Sequence, residues 1–294
     1  MRIKGEISLP GDKSISHRAL MFASLTNGEC VIHNISTGED VESTRKCLAE
    51  CGIQSVKSGN TVRIKGGVFS NPGKPLNCGN SGTTIRLLAG LLAGKRITAE
   101  FTGDDSLAKR PMSRIIDPLT EMGAVIESIN GHIPFTIKPK KLNGISFVPS
   151  VASAQVKSCI MLAGLGAIGQ TVIDENVKTR DHSEIISKEL GAPISSNGTI
   201  SINPLSRPLQ PFEINVPGDP SSAAFFAAAA ALIPNSSITI KNVLANPTRI
   251  GFFQVLKKMG GGVEWQNMRK ECGESVGDVH VFWEPLYGID ITSE

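Results

Sequence analysis

Three features of the sequence predict an α/β fold of repeated units: a recurring helix start, a recurring helix end and the strands between them. The helix starts are rich in small polar residues and are anchored at Ser14, Ser81, Ser153 and Ser221, with steps of 67, 72 and 68 residues. The helix ends carry a glycine after an apolar or cysteine residue, at Gly52, Gly123, Gly191 and Gly260, with steps of 71, 68 and 69 residues. A glycine in this place is typical of a left-handed helix cap. The two periodicities agree, and they indicate four copies of one unit.

Each copy is predicted to run helix, strand, helix, strand, strand, with one more strand leading in. Apolar helices are predicted over 19–25, 85–92, 160–167 and 223–232. Strands rich in β-branched residues are predicted over 30–35, 97–102, 171–174 and 237–242. Shorter alternating strands are predicted over 61–65, 135–138 and 199–203, and further strand material from 279 onward. This alternation predicts helices packed against layers of sheet.

Two turns with the same tripeptide predict the domain organisation. Pro-Gly-Asp occurs at 10–12, after a strand too short to be a domain, and again at 217–219, where the fourth unit opens. A chain of 294 residues exceeds the usual size of one domain, so we expect it to cross between two globular halves at these turns. The expected halves are a complete domain of three units at 12–218, and a partial domain of one unit formed by 1–11 and 219–294.

Composition argues against several classes of function. A hydrophobic content of 40% with 19% charged residues is ordinary for a globular protein, and a net charge of +3 is too small to indicate a nucleic acid or membrane partner. Aromatic residues make up 5% and are not interleaved with basic runs, so a base-stacking platform is not expected. The apolar run 223–233 is too short to span a bilayer, and the first residues lack the apolar core of a secretion signal.

The six cysteines show no C-x-x-C pair. Cys47 and Cys51 lie four apart on a predicted helix and could hold a metal, but two small residues facing the core are the better interpretation. We therefore expect no metal and no cofactor. We also expect reduced thiols, a cytoplasmic location and a monomer.

The stretch from Pro10 to Arg18 is where we place the chemistry. An extended segment runs through a Pro-Gly turn into a helix, so Lys13 and Ser14 lie where unpaired N–H groups and the helix dipole favour an anion. Arg18 lies one turn further on, where it could direct a two-pronged guanidinium to the same place. Taken alone, the stretch is explained about equally well by a Ser-capped helix with two solvated cations.

The second helix start, 80–86, repeats this pattern. Asn80 is followed by Gly82, which would let a ligand approach the backbone, and by Arg86 in the first turns. Arg110 precedes a proline expected at the first helical position; it is either solvated or a further guanidinium near the anion site.

The third helix start offers neutral hydrogen-bonding groups. Ser153 and Gln155 could orient a hydroxylated ligand or simply cap the helix, and Arg180 is the candidate ligand contact before the next helix. The chain has no nucleophile elbow, Walker loop, G-x-G-x-x-G or metal cluster. The predicted target is a small, hydroxylated metabolite with more than one phosphate or carboxylate.

Six motifs, in order along the whole chain, resemble those of the EPSP synthases (3-phosphoshikimate 1-carboxyvinyltransferases), and most closely the class II branch. The motifs are Pro-Gly-Asp-Lys-Ser-Ile-Ser-His-Arg at 10–18, Gly-Asn-Ser-Gly-Thr-Thr-Ile-Arg at 79–86, Lys-Arg-Pro at 109–111, Ser-Ala-Gln-Val-Lys-Ser at 153–158, Thr-Arg-Asp-His at 179–182 and Asn-Pro-Thr-Arg-Ile-Gly at 246–251. The resemblance implies an EPSP synthase-like two-domain fold of βαβαββ units, an inside-out α/β barrel. It also implies transfer of the enolpyruvyl group of phosphoenolpyruvate to the 5-hydroxyl of shikimate 3-phosphate, without a metal.

The resemblance also implies roles for particular residues. Shikimate 3-phosphate is expected to bind Lys13, Ser14 and Arg18, with Lys13 also reaching phosphoenolpyruvate as a catalytic residue. The residues implied for the shikimate phosphate and ring are Ser153, Ala154, Gln155 and Arg180. Those implied for phosphoenolpyruvate are Gly82, Arg110 and Gln155, with Asn80 nearby. Glyphosate-tolerant members often carry alanine where this chain has Gly82, so glyphosate sensitivity is expected.

The sequence departs from the family pattern near its end. The family's catalytic Asp, a Lys-Glu-Ser-Asp-Arg-type motif, a His-Arg pair and a late Lys are not among the 294 residues. We therefore expect a C-terminally truncated synthase that shows no turnover alone and binds shikimate 3-phosphate only weakly. Two alternatives stay open: a UDP-N-acetylglucosamine enolpyruvyl transferase-like enzyme of the same fold, and a non-catalytic remnant that binds a phosphorylated metabolite.

Overall fold

The computed structural model describes residues 2–291. The helices are α1 (Lys13–Ser24), α2 (Glu39–Glu50), α3 (Gly82–Lys95), α4 (Asp105–Ala108), α5 (Ser113–Glu121), α6 (Ala154–Gly164), α7 (His182–Glu189), α8 (Pro220–Leu232) and α9 (Gly251–Lys258). The strands are β1 (Lys4–Ser8), β2 (Glu29–His33), β3 (Ser55–Ser58), β4 (Thr61–Lys65), β5 (Leu76–Asn77), β6 (Ala99–Thr102), β7 (Val125–Ile129), β8 (His132–Lys138), β9 (Ser146–Phe147), β10 (Thr171–Ile173), β11 (Ile194–Asn197), β12 (Thr199–Ile202), β13 (Glu213–Asn215), β14 (Ser237–Leu244), β15 (Gly262–Glu271) and β16 (Glu274–Phe282). Among the described residues, no helix has the length and apolar character needed to cross a membrane.

These strands form four sheets of four strands with one shared topology. In each sheet a lead strand pairs in parallel with the strand that follows an apolar helix: β13 with β2, β5 with β6, β9 with β10, and β1 with β14. Two further strands complete each sheet in antiparallel pairing. The predicted α/β fold of repeated units is confirmed.

Two of the lead strands are exchanged. Strand β1 precedes α1 but pairs with β14, whereas β13 precedes α8 but pairs with β2. The chain makes both exchanges at the Pro-Gly-Asp turns, where Gly11 and Gly218 form an antiparallel bridge and the Asp12 N–H donates to the Pro217 carbonyl at 2.7 Å. A Cβ on Gly11 would lie 1.9 Å from the Asn34 carbonyl oxygen, so only glycine permits this close crossing.

The buried apolar side chains form two clusters. The larger core takes its residues from 15–216 together with Leu244, and the smaller core combines Leu9 with residues from 223–281. Helices α1, α3 and α6 lie inside the larger core, and α3 and α6 approach so closely that a Cβ on Gly90 would lie 2.1 Å from the Cys159 carbonyl oxygen. The small residues in these helices therefore allow the contact that fixes their relative positions.

The four apolar helices begin within one residue of the predicted anchors Ser14, Ser81, Ser153 and Ser221. A side chain just before each helix caps it: Asp12 accepts from the Ile15 N–H, Ser81 from Thr84, Ser153 from Val156 and Asp219 from Ser221. A cap satisfies an otherwise unpaired N–H, so it sets where the helix begins.

Two sequence predictions at loop and strand ends are wrong. Helix α5 begins at Ser113, so Pro111 is not its first helical residue, because a separate short helix, α4, first caps itself on Asp104. Among the residues that the structure describes, the strand material expected over 279–294 ends at Phe282, the last residue of β16, and 292–294 lie outside the described residues. Cys47 and Cys51 are buried as predicted, and all six cysteines are free thiols.

Candidate functional site

The start of α1 carries the first two predicted site residues. The Lys13 side chain is 51% exposed and pairs with Asp40 at 2.9 Å, and Ser14 follows in the same turn. The Asp40 carbonyl oxygen accepts a hydrogen bond from Thr84 Oγ1 at 3.0 Å. Asp40 therefore links the cation at the start of α1 to the start of α3.

The Arg18 guanidinium lies below these helix starts. It is buried and donates to Ser183 Oγ at 2.7 Å, to Ser158 Oγ at 2.8 Å and to the Ser14 carbonyl at 3.0 Å. Burial lowers the pKa of Arg18 to about 10, so it remains charged at neutral pH. Arg18 thus joins α1 to α6 and α7. Three of the five N–H groups of its guanidinium make these bonds, and the bond to the Ser14 carbonyl brings Nη1 to the helix start that also carries Lys13.

Gln155 connects the third helix start to the second. Its Oε1 accepts from Arg86 at 2.6 Å and its Nε2 donates to Thr83 Oγ1 at 2.9 Å, so both ends of the amide are fixed. Burial lowers the pKa of Arg86, and the positive charges of Arg114 and Arg110 lower it further. A cluster of guanidinium groups that disfavour one another is stabilised by a bound anion.

Gly82 lies between two of these guanidinium groups. A Cβ built on Gly82 would lie 2.9 Å from Arg86 Nη1 and 3.2 Å from Arg110 Nη1. Arg110 in turn donates to Asn80 Oδ1, and Asn80 donates to Asp104 at 2.8 Å. The structure therefore brings Asn80, Gly82 and Arg110 together, and Arg86 connects them to Gln155, the fourth residue expected near phosphoenolpyruvate.

A cavity of about 570 Å³ brings together four of the seven residues expected to hold shikimate 3-phosphate: Ser153, Ala154, Gln155 and Arg180. Its lining consists of Ala152, Ser153, Ala154, Gln155, Lys178, Thr179, Arg180 and Thr248. This volume suits a small metabolite. Lys13 and Ser14 are not part of this lining, and Gln155 is the residue shared by the cavity and the guanidinium cluster.

Two buried charged residues near the cavity were given no role by sequence reasoning. Lys157 pairs with Glu175 at 2.9 Å and Glu184 at 2.6 Å, and Glu175 also accepts from Thr179 Oγ1 at 2.7 Å. The loop that presents Arg180 is thereby tied to α6. Arg249 is the second such residue; it lies next to the cavity residue Thr248 in the 246–251 motif. That motif was the available signal, but the partner of a buried cation cannot be identified from the sequence.

The fold and the guanidinium cluster define the class of protein: an α/β protein of repeated units that collects cations and hydroxyl groups from several helix starts. A family profile described as EPSP synthase (3-phosphoshikimate 1-carboxyvinyltransferase) matches residues 1–286. The chain belongs to the EPSP synthase family, whose members are transferases of the shikimate pathway.

Relatives and solved structures agree with this membership. A protein named 3-phosphoshikimate 1-carboxyvinyltransferase from Thermoanaerobacter sp. (strain X514) is 47% identical, over 98% of this chain and 69% of the relative. A protein of the same name from Ruthia magnifica is 46% identical, over 99% of this chain and 68% of the relative. The EPSP synthase structure from Acinetobacter baumannii matches with a TM-score of 0.92 and 38% identity, over 99% of this chain and 67% of that one.

Proposed function

We propose that this chain binds shikimate 3-phosphate and phosphoenolpyruvate at adjoining places that meet at Gln155, for the enolpyruvyl transfer that defines its family. One observation carries the proposal: Gln155 lines the cavity with Arg180 and is also hydrogen-bonded to Arg86 in the guanidinium cluster. A transferase needs its two substrates side by side and in a fixed orientation. A residue common to both places meets that need.

Shikimate 3-phosphate occupies the cavity in this proposal. Arg180 supplies the charge, while Ser153, Ala154 and Gln155 supply the hydroxyl, amide N–H and side-chain amide groups at a helix start. Lys13 and Ser14 approach from the start of α1. Arg18 binds the same substrate through the guanidinium N–H groups that its bonds to Ser14, Ser158 and Ser183 leave unused, and those bonds hold α1, α6 and α7 in register.

Phosphoenolpyruvate lies in the guanidinium cluster in this proposal. Arg110 neutralises its charge, Asn80 orients Arg110, and Gly82 leaves room between the two guanidinium groups. Lys13 reaches both substrates as the catalytic cation, because the developing charge in the transition state is best met by groups fixed in advance. Glyphosate, an anion of similar size, is expected to compete for the same space.

We also propose the division into 12–218 and 1–11 with 219–294, supported by the two separate cores and the exchanged lead strands. The chain acts as a monomer with small-molecule partners and without a nucleic acid or membrane partner. Six free thiols support a reducing, cytoplasmic location.

Calorimetric titration of the chain with shikimate 3-phosphate tests the proposal. Gln155→Ala should weaken binding about tenfold or more, because it removes one contact and takes away the acceptor that lies 2.6 Å from Arg86 Nη1. Gln170→Ala is the matched control, since Gln170 is exposed and bonds only to Asn203 at 3.3 Å among its side-chain partners. Equal binding by both variants, or binding of UDP-N-acetylglucosamine in place of shikimate 3-phosphate, would contradict the proposal.

The lack of turnover stays a prediction. It rests on the motifs that the 294 residues do not include. Phosphate release from the purified chain with both substrates should stay at background while shikimate 3-phosphate still binds. Release above background would show that the residues present suffice for catalysis.

A further inference from the structure

Arg249 joins the two Pro-Gly-Asp turns at which the chain crosses between the cores. Its guanidinium donates to Asp12 Oδ2 at 2.7 Å, to Asp219 Oδ1 at 3.1 Å and to Ser221 Oγ at 3.1 Å. Its side chain is only 4% exposed. One cation therefore bridges the equivalent aspartates of two repeated units.

The two aspartates that bind Arg249 are helix caps. Asp12 accepts from the Ile15 N–H at the start of α1, and Asp219 accepts from the Ser221 N–H at the start of α8. Asp219 also accepts from the Lys13 N–H at 3.3 Å. Arg249 thereby fixes the direction of the caps at both helix starts, including the one that presents Lys13.

A second set of buried groups holds Arg249 from the other side. His182 Nε2 lies 3.4 Å from Arg249 Nη1, and His182 Nδ1 lies 2.7 Å from Glu274. Asn246 donates to Glu274 at 2.9 Å and to Asp181 at 2.8 Å. The loop before α9 is thus bonded to α7, the helix that follows the Arg180 loop.

The charges of this group bear on anion binding. Asp12 and Asp219 place two carboxylates at the start of α1, where a phosphate group would otherwise be favoured, and the single charge of Arg249 offsets part of their negative charge. Burial lowers the pKa of Arg180, and the charge of Arg249 lowers it further while Asp12 and Asp219 raise it, so these groups are within electrostatic reach of one another. Thr248, the neighbour of Arg249, lines the cavity itself.

We propose that Arg249 is a positioning residue for the phosphorylated substrate: it holds the caps of α1 and α8 in place and offsets part of the negative charge of Asp12 and Asp219 beside the anion site. This inference rests on the proposed function, because it assigns Arg249 to the same shikimate 3-phosphate site. It makes binding by the larger core depend on a side chain contributed by the second half of the chain.

Titration of shikimate 3-phosphate into the full chain tests this role. Arg249→Met should weaken binding about tenfold or more, and Arg249→Lys should give an intermediate affinity, since lysine restores the charge but not the fork that reaches both aspartates. Arg63→Met is the matched control, because Arg63 forms an exposed ion pair with Glu29 at 3.0 Å. Equal affinity of wild type and Arg249→Met would overturn the inference and leave the proposed function intact.

A double variant separates charge compensation from a merely structural role. In Arg249→Met the two carboxylates are unpaired, so adding Asp219→Asn should recover part of the lost affinity, because asparagine still caps a helix but carries no charge. In the wild-type background Asp219→Asn should change affinity by less than Arg249→Met does. A double variant that binds no more tightly than Arg249→Met would contradict charge compensation.

Amide hydrogen exchange in the ligand-free chain tests directly whether Arg249 holds the start of α1 in place. Arg249→Met should speed exchange at the Lys13 and Ile15 amides about tenfold, whereas Arg63→Met should not, because only Arg249 holds the carboxylates that accept from them. A wild-type chain that fails to bind shikimate 3-phosphate would contradict the proposed function. The exchange rates of the Lys13 and Ile15 amides would still show whether Arg249 holds the start of α1 in place. Unchanged exchange in Arg249→Met would overturn it.

Discussion

At the scale of single residues, His17 illustrates how burial sets chemistry in this protein. The ring lies in the core beneath the start of α1, with Nδ1 2.7 Å from Thr44 Oγ1, and Thr44 Oγ1 lies 2.7 Å from Thr84 Oγ1. Burial lowers the pKa of His17 to about 3, and the charges of Arg18 and Lys13 contribute in the same direction. His17 is therefore neutral in the folded chain and links α1 to α2 and α3.

We predict a loss of stability in acid that depends on His17. The unfolded chain binds a proton at this residue near pH 6.5 and the folded chain only near pH 3, so protonation favours unfolding between these values. The contribution of neutral His17 is fully present above pH 6.5 and falls by about 4 kcal/mol by pH 3. Urea unfolding measured against pH should show a shallower decline in His17→Asn. The control His132→Asn should keep the wild-type slope, and identical slopes for all three proteins would refute the role of His17.

Gly82 gives a second prediction at this scale. Gly82→Ala would place a methyl carbon 2.9 Å from Arg86 and 3.2 Å from Arg110, so both guanidinium groups must move. We expect binding of phosphoenolpyruvate, titrated in the presence of shikimate 3-phosphate, to weaken about three- to tenfold, because a displacement of this size costs about 1 kcal/mol. Binding of shikimate 3-phosphate alone should change little. Gly73→Ala is the control, because the space around its added carbon is open. If Gly82→Ala lowers the affinity for shikimate 3-phosphate more than the affinity for phosphoenolpyruvate, the two binding places are wrongly assigned.

At the scale of elements, the contact of α3 with α6 determines the geometry of the site. Both helices carry site residues at their starts, Gly82 on α3 and Gln155 on α6, and both are held by capping serines. The close approach of Gly90 to the Cys159 carbonyl fixes their separation. The hydrogen bonds of Gln155 to Thr83 and Arg86 depend on that separation.

Gly90→Ala should therefore be destabilising. The added carbon would lie 2.1 Å from a backbone oxygen, so the helices must separate, at a cost of about 1–3 kcal/mol in the free energy of unfolding. Gly251→Ala is the matched helical control, since nothing lies within 4 Å of its added carbon. Denaturant unfolding compares the two, and a Gly90→Ala chain as stable as the control would show that the helices are not held at this distance.

At the scale of the whole molecule, the two cores can be observed separately. Both tryptophans, Trp265 and Trp283, lie in 219–294, and the Trp265 ring packs 5.5 Å from Phe253 in the smaller core. The larger core has no tryptophan. Seven of the described helices, α1 to α7, lie in 12–218, so far-ultraviolet circular dichroism reports mainly on the part of the chain that holds the larger core. Fluorescence therefore follows the smaller core.

We predict that fluorescence changes at a lower urea concentration than circular dichroism, because the smaller core buries less apolar surface. Phe253→Ala should move the fluorescence transition to lower urea concentration, and Phe135→Ala should do the same to the circular dichroism transition. Each change removes a ring that is only 1% exposed, Phe253 from the smaller core and Phe135 from the larger core. Coincident transitions in wild type and both variants would contradict the proposed division of the chain.

The repeat pattern made much of the fold predictable, and particular residues show where prediction ended. The strand over Thr61–Lys65 was predicted to the residue, because alternation of buried and exposed side chains is a local property. The starts of α1 and α3 lie within one residue of the predicted Ser14 and Ser81, because a polar helix start with its capping residue is also a local signal. Asn80 accepts a hydrogen bond from Arg110, which lies beside Gly82, and their role stays a proposal. Two of the three hydrogen-bond partners of the Arg18 side chain, in contrast, lie 140 and 165 positions away in the sequence.

The sequence by itself determined the repeated unit, the four polar helix starts and the family, because periodicity, capping residues and short motifs are written in consecutive positions. Only the tertiary structure decided which lead strand joins which sheet, that Arg18 joins α1 to α6 and α7, and that Arg249 bridges Asp12 and Asp219. The physical reason is that a buried charge must find an opposite charge or a polar partner wherever the packed chain provides one. Distance along the sequence sets no limit on that choice.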